Sequence, residues 1–170
     1  MIINTPNLIN QESDVILTPN KVEFGRLWEK FVKTPVPLMT INDQTTTWRG
    51  INDPEIQPAV VLARTLGVNL LIKGQVDVAT DGKSVICIGE PGSKKRVGGQ
   101  GDVLCGVLAS TIHQAQLNGY DIVRALATAS LIVRKSAFIA FTKKQRGFTT
   151  PDLIKALPLG LTQLLPNSNL

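Results

Sequence analysis

The stretch from residue 68 to residue 88 restricts the fold most, because three short runs of β-forming residues follow one another there. Turn residues separate the runs, and Asp81-Gly82 between the second and the third is typical of a β-hairpin. Strands are predicted at residues 14–17, 68–73, 77–80 and 84–88. Because helical patterns lie on both sides of these strands, the sequence indicates an α/β fold with a layered sheet.

Helical spacing of apolar residues accounts for most of the remaining chain. Asn20 is a suitable N-cap for a first helix, Pro54 suits the start of a second, and Gly67 suits its end. Helices are predicted at residues 21–33, 54–66, 102–118, 121–141 and 150–165, the last one interrupted at residues 158–160. Residues 34–53, which contain two prolines and a polar run, are predicted to form a loop.

Composition limits the class of protein. A chain of 170 residues with 43% hydrophobic and 5% aromatic residues suits one globular domain with an aliphatic core. Its two cysteines are too few for a disulfide framework, which favours a reducing compartment. The sequence shows no apolar run long enough for a membrane helix and no targeting segment. We therefore expect a soluble protein of the cytoplasm or, in a form with a different N-terminus, of the mitochondrion.

Positive charge is concentrated in the second part of the chain. The formal net charge is +5, with −2 on residues 1–93 and +7 on residues 94–170. This asymmetry predicts an anionic ligand near the second part. The basic run at residues 143–146 has no interleaved aromatic residues, so it indicates a solvated helix end rather than a nucleic-acid surface.

Residues 89–101, here called the glycine loop, combine five glycines with three consecutive basic residues just before a predicted helix. Unpaired N–H groups and a partial positive charge at a helix N-terminus bind phosphate, and glycines let the backbone approach an anion. Asp102, at the start of that helix, would repel a phosphate unless it acts on a neighbouring group. A general base that takes a proton from a hydroxyl during phosphoryl transfer suits this position.

The same residues also allow a simpler interpretation, a turn followed by an aspartate at a helix start. The basic run at residues 94–96 favours an anion site. The glycine loop is not a Walker A loop, because no Gly-Lys-Ser/Thr sequence follows, and it is not a dinucleotide-binding turn after a first strand.

Three segments occur in one order along the chain, and the third is close to diagnostic of a family. They are Thr18-Pro19-Asn20-Lys21-Val22-Glu23-Phe24, Lys73-Gly74-Gln75-Val76-Asp77, and Gly92-Ser93-Lys94-Lys95-Arg96-Val97-Gly98-Gly99-Gln100-Gly101-Asp102. With them the chain resembles, from about Val15 to about Lys155, the ATP-dependent (S)-NAD(P)H-hydrate dehydratases. Those are metabolite-repair lyases with a ribokinase-like layered α/β/α fold.

The resemblance implies an ATP-dependent hydro-lyase that acts on NADH or NADPH whose nicotinamide ring has been hydrated. ATP would phosphorylate the ring hydroxyl, and elimination of phosphate would regenerate the double bond. Magnesium is expected with ATP, because the charge of a triphosphate must be neutralised during transfer. The implied partners are these small molecules, with no nucleic acid and no membrane, and a homo-oligomer is left open.

The resemblance also implies roles for individual residues. The Asn20 segment (residues 20–26) would bind the hydrate, the Lys73 segment (residues 73–77) and the glycine loop from Gly92 onwards would bind ATP, and Asp102 would contact the hydrate as the catalytic base. No metal ligand is assigned. The residues are Asn20, Lys21, Val22, Glu23, Phe24, Gly25, Arg26 and Asp102 for the hydrate, and Lys73, Gly74, Gln75, Val76, Asp77, Gly92, Ser93, Lys94, Lys95, Arg96, Val97, Gly98, Gly99, Gln100 and Gly101 for ATP.

In that family an N-terminal half with a glycine-rich substrate segment and further central strands precedes the region matched here. Residues 1–14 contain none of it, so we expect residues 1–170 to form one partial ribokinase-like domain, the C-terminal portion only. Two alternatives stay open. One is a non-catalytic ATP-binding module with an exposed apolar sheet edge that self-associates, and the other is a small-molecule kinase of the same fold.

A few further residues have simple structural interpretations. His113, inside a helix, is expected to be a satisfied or solvent-facing histidine rather than a catalytic one. Cys105 is expected to be a small buried residue rather than an activated thiol. Trp28 and Phe31 are predicted core residues, and Glu23 is either a ligand contact or the acid of a capping box.

Overall fold

The computed structural model describes residues 15–43 and 45–165. The expectations for residues 1–14, including Asp14 in the first strand, lie outside the described residues. The chain divides into two compact units, one ending at Gly89 and the other starting at Glu90. Across the described residues the fold is mixed α/β, as the sequence predicts, with five α-helices and five strands, one strand more than predicted.

The first unit contains a five-stranded mixed sheet in the described part of the chain, with the order β1-β3-β4-β5-β2. β1 pairs with β3 in parallel, with Ile16 opposite Asn69, and the other neighbours are antiparallel. The hairpin at Asp81-Gly82 is confirmed, since it joins β4 to β5. The strands are β1 Ile16–Leu17, β2 Thr47–Arg49, β3 Asn69–Ile72, β4 Asp77–Thr80 and β5 Val85–Ile88.

Two helices complete the first unit, α1 Lys21–Phe31 and α2 Gln57–Leu66. All residues of β3, β4 and β5 are buried, and α2 contacts β3 and β4 directly. Trp28 is a core residue as predicted, and Phe31 packs against the same core while partly buried. Gly67 ends α2 in a left-handed conformation with φ 66°, which glycine adopts without strain.

The second unit is helical. α3 Gln100–Asn118 and α5 Thr150–Leu164 both pack against α4 Ile122–Lys144, and a short 3-10 helix, Gln145–Gly147, joins α4 to α5. Phe148 after this turn is fully buried and meets Phe141 edge-on at 6.4 Å between ring centroids. In the described part of the chain, no helix is both long and apolar enough to cross a membrane.

Two predicted elements of the first unit differ from the structure. α2 begins at Gln57 rather than at Pro54, because Asp53 closes a turn in which its backbone carbonyl accepts the N–H of Gln57 at 2.9 Å. Pro58 then occupies the first helical turn. The predicted loop at residues 34–53 contains a strand, β2, which is only three residues long and forms through pairing with β5. A run that short has no alternation that a sequence pattern can reveal.

The predicted interruption of the last helix is wrong, since α5 continues through Pro158. Tertiary packing explains the continuity. Gly160 lies so close to Ser136 of α4 that an added Cβ would approach the Ser136 backbone nitrogen to 3.1 Å. Close helix–helix contact at this point stabilises the turn that the proline weakens.

Candidate functional site

The N-terminus of α3 overlaps the end of the glycine loop, because the helix begins at Gln100. Gly99 precedes its first turn with φ 84°, a left-handed conformation in which side chains are strained. No side chain of the described residues caps this helix end. The Gln100 N–H donates to the Val97 carbonyl at 3.4 Å, and the first intrahelical bond runs from the Val103 N–H to the Gly99 carbonyl at 3.1 Å. Within the described residues, the Gly101 and Asp102 N–H groups therefore stay available to an anion.

Asp102 lies in the first turn of α3 with an exposed side chain. Its carboxylate opens onto a groove of about 1360 Å³ that α3, α4 and α5 line together. Residues from both ends of α3, Asp102 and Asn118, border this groove, and most of its wall is apolar. The exposed Asp102 carboxylate and the uncapped helix end thus lie in the same turn of α3, and the role of Asp102 as a base stays a prediction.

The start of α5 contacts the glycine loop, a juxtaposition that the sequence does not reveal. The hydroxyl of Thr150 donates a hydrogen bond to the Gly98 carbonyl. Thr149 and Asp152 form a capping box, in which the Asp152 carboxylate accepts from the Thr149 N–H at 3.0 Å and from its hydroxyl at 2.6 Å. The hydrogen bond from that hydroxyl holds the pKa of Asp152 below its ordinary value.

The three basic residues of the glycine loop have different surroundings. Lys94 and Arg96 are exposed, and neither forms a hydrogen bond or ion pair within the described residues. Lys95 is partly buried, and its ammonium group donates to the carbonyls of Arg146 at 2.7 Å and Phe148 at 3.0 Å. The structure therefore leaves two of the three cations free for a phosphate and engages the third with the backbone.

The Asn20 segment is the start of α1, in the first unit. Asn20 caps the helix by accepting from the Val22 and Glu23 N–H groups at 2.9 and 3.0 Å. In turn, the Glu23 carboxylate accepts a hydrogen bond from the Asn20 N–H at 2.7 Å. The capping-box interpretation of Glu23 is thus confirmed. Lys21, Val22 and Arg26 are exposed, whereas Phe24 belongs to the core.

The Lys73 segment is the turn that joins β3 to β4. The Asp77 carboxylate accepts the Gly74 N–H at 2.8 Å, and Val76 and Asp77 are buried while Gly74 and Gln75 are exposed. Asn20 and Lys73 form a parallel bridge, and the Lys73 N–H donates to the Pro19 carbonyl at 2.8 Å. Two predicted segments of the first unit therefore meet at the carboxyl ends of the parallel strands β1 and β3, where α/β sheets bind ligands.

Other predicted side chains lie away from these contacts. His113 is exposed, which agrees with the solvent-facing interpretation. Cys105 is also exposed, so its expected burial is wrong, and the buried residues of α3 are Leu104, Leu108 and Ala115 instead. Cys87 is the buried cysteine, and burial raises the pKa of its thiol. The described residues contain no group of three or more metal-ligating side chains.

Comparison with known proteins identifies the family. The family model described as NAD(P)H-hydrate dehydratase matches residues 2–159. Proteins named ATP-dependent (S)-NAD(P)H-hydrate dehydratase are similar to the chain: that of Entamoeba histolytica is 33% identical over 93% of this chain and 48% of its own length. Those of Mus musculus and Arabidopsis thaliana are each 30% identical, over 96% and 99% of this chain and 46% and 45% of their own lengths.

The chain spans about half the length of the curated relatives it matches. The matched region includes all three predicted segments together with Asp102. The chain therefore belongs to the NAD(P)H-hydrate dehydratase family.

Proposed function

We propose that this chain acts in the ATP-dependent conversion of (S)-NADH hydrate and (S)-NADPH hydrate to NADH and NADPH. One observation carries the proposal: an exposed carboxylate, Asp102, lies in the first turn of a helix whose uncapped end begins at a left-handed glycine. Membership of the NAD(P)H-hydrate dehydratase family supports the assignment of this reaction to the chain. The names of the relatives support the dependence on ATP.

In the proposed reaction the hydroxyl oxygen on the hydrated ring attacks the γ-phosphorus of ATP. An oxygen–phosphorus bond forms while the bond to ADP breaks, and the hydroxyl proton passes to the Asp102 carboxylate. Phosphate then leaves with the electrons of its carbon–oxygen bond, and loss of a proton from the adjacent ring carbon restores the double bond. The products are NADH or NADPH, ADP and phosphate.

The N-terminus of α3 would stabilise the charge on the transferred group. Aligned peptide dipoles place about half a positive charge at a helix N-terminus, and the N–H groups after Gly99 are not engaged by a side-chain cap among the described residues. Lys94 and Arg96, both exposed, add positive charge on the approach. Preorganised donors of this kind stabilise a transition state without moving during the reaction.

Magnesium would enter with ATP rather than as a resident ion. The described residues hold no cluster of carboxylate, histidine and cysteine side chains that could fix a metal alone. The triphosphate oxygens are therefore the expected ligands, since Mg²⁺ in such sites is held largely by phosphates and water. Chelation of magnesium should abolish turnover, and turnover that survives complete chelation would contradict this part of the proposal.

The direct test mixes the purified chain with NADH hydrate, ATP and magnesium and follows the return of NADH absorbance. Recovery that requires ATP supports the proposal. Binding of ATP without recovery, when a full-length relative is active under the same conditions, would instead favour a non-catalytic module. Phosphorylation of a sugar or vitamin in a panel of hydroxyl compounds, without NADH recovery, would favour a small-molecule kinase.

A further inference from the structure

We infer that Lys95 is a positioning residue, which holds the glycine loop in place through the backbone of the α4–α5 connection and does not bind the phosphates of ATP. The inference rests on the proposed function in one respect, namely that the loop held by Lys95 precedes a nucleotide-binding site. It distinguishes Lys95 from its two neighbours in the basic run, although composition alone gives all three the same role.

The hydrogen bonds of Lys95 carry the inference. Its Nζ donates to the Arg146 carbonyl at 2.7 Å and to the Phe148 carbonyl at 3.0 Å. A lysine ammonium has three N–H donors, so two of them are used on backbone oxygens more than 50 residues away in sequence. The side chain is partly buried, unlike those of Lys94 and Arg96.

The acceptors of these hydrogen bonds belong to a turn with a fixed shape. Phe148 is fully buried, and its ring packs edge-on against Phe141. Gln145, at the start of the turn, has φ 49°, which is unusual for a residue other than glycine and persists only where neighbouring contacts impose it. The two carbonyls thus form a rigid support for the ammonium group.

A second contact on the same stretch of backbone strengthens the argument. The Thr150 hydroxyl donates to the Gly98 carbonyl, so the loop is attached at Lys95 and again at Gly98, immediately before the left-handed Gly99. Within the loop, the Ser93 hydroxyl donates to the Lys95 carbonyl at 2.6 Å. The α4–α5 connection therefore sets the direction in which the N–H groups of α3 face a ligand.

The three residues of the basic run are therefore expected to have different roles. Lys94 and Arg96 would attract the triphosphate by charge, an effect that salt screens. Lys95 would determine where the anion-binding N–H groups lie, and small misplacements of a reacting group lower turnover strongly. Removal of Lys95 should therefore reduce kcat, whereas removal of either neighbour should mainly raise KM for ATP.

The test compares Lys95→Met with Lys94→Met in the full chain. Hydrogen exchange should become at least about tenfold faster in Lys95→Met at the Gln100 and Val103 N–H groups, which donate to the Val97 and Gly99 carbonyls, and it should stay unchanged in Lys94→Met. In steady-state assays Lys95→Met should lower kcat on the order of 10²-fold with KM for ATP changed little. Lys94→Met should raise KM for ATP and weaken its dependence on ionic strength.

Thr150→Val provides a second variant, because it removes the donor to Gly98 and keeps the shape of the side chain. It should accelerate exchange at the same N–H groups. Unchanged exchange in both Lys95→Met and Thr150→Val would overturn the inference, as would a Lys95→Met variant whose KM and salt dependence follow those of Lys94→Met. Should the wild-type chain bind ATP without turnover, the proposed dehydratase activity fails, while the exchange experiment and the salt dependence of ATP binding still decide the role of Lys95.

Discussion

Two helix N-termini carry predicted ligand contacts, and they differ in how their N–H groups are satisfied. At α1, Asn20 and Glu23 form a capping box that engages the first N–H groups with side chains of the protein itself. At α3, Gly99 occupies the capping position, and no side chain of the described residues takes its place. We call the first helix end closed, because side chains engage its N–H groups, and the second open, because no side chain of the described residues does so.

This difference indicates what each end can offer a ligand. A closed end presents its exposed side chains, here Lys21 and Arg26, because its backbone donors are already engaged. An open end presents the backbone donors themselves, together with the helix dipole. We therefore expect phosphate to bind at α3, and we expect the Asn20 segment to contact a ligand through side chains.

The largest expected effect concerns the open end. Asp102→Asn removes the carboxylate that accepts the proton and keeps the size of the side chain. Loss of a general base typically lowers turnover by about 10²–10⁴-fold, so kcat for NADH recovery should fall by that amount while ATP still binds. Asp121→Asn is the matched control, because asparagine also caps helices and Asp121 caps α4 through Val123. Undiminished turnover in Asp102→Asn would remove this residue from the mechanism.

A second change strains the open end itself. Gly99→Ala places a side chain at φ 84°, with the added Cβ 3.3 Å from a methyl carbon of Thr150. The left-handed conformation alone costs about 1–2 kcal/mol, so Gly99→Ala should lower the free energy of unfolding by about that amount and weaken ATP binding.

Gly98→Ala is the comparison, since an added Cβ there meets nothing within 4 Å. Its effects on stability and on ATP affinity should both be smaller. Chemical denaturation and calorimetric titration with ATP measure the two quantities. Equal losses in the two variants would show that the conformation of Gly99 is not what keeps this helix end open.

The third change opens the closed end. Asn20→Ala removes the oxygen that accepts two N–H groups of α1. Loss of such a cap typically costs about 1 kcal/mol, so the midpoint of thermal unfolding should fall while the affinity for ATP stays the same. A stronger affinity for ATP in this variant would mean that α1, once opened, competes with α3 for phosphate.

The smallest effect is a dependence of stability on acid. The Thr149 hydroxyl lowers the pKa of Asp152 below its ordinary value of 3.8, and the Thr45 backbone N–H lowers that of Asp43 in the first unit. A lowered pKa means that the folded state favours the charged form, so the stabilisation is present above the ordinary value and is lost as the pH falls below it. Asp152→Asn should flatten the loss of stability below about pH 4, measured by thermal unfolding, and an unchanged acid profile would contradict the assignment.

Much of the fold could be predicted from local patterns. The β4–β5 hairpin follows from Asp81-Gly82 between two β runs, and α1 follows from Asn20 and Glu23 at the spacing of a capping box. These elements depend on residues close in sequence, so their signals are local. β2 and the continuous α5 depend instead on pairing with β5 and on the close approach of Gly160 to Ser136, which no local pattern contains.

The candidate site was predictable to the same extent. The glycine loop and Asp102 are adjacent in sequence, and the helix that follows begins at Gln100, two residues before its predicted start at Asp102. The different role of Lys95 depends on carbonyls at Arg146 and Phe148, and the contact of Thr150 with Gly98 spans a similar distance along the chain. Composition shows a basic cluster, but only the fold shows which of its members is already engaged.

The most direct test of the open and closed helix ends is to add ATP to the isotopically labelled chain and record the backbone amide signals by NMR. We predict the largest shifts at residues 98–102, with little change at residues 21–23 of the capped α1. Shifts centred on α1, or an absence of shifts at residues 98–102 under conditions where calorimetry detects ATP binding, would contradict the assignment of the phosphate site to α3.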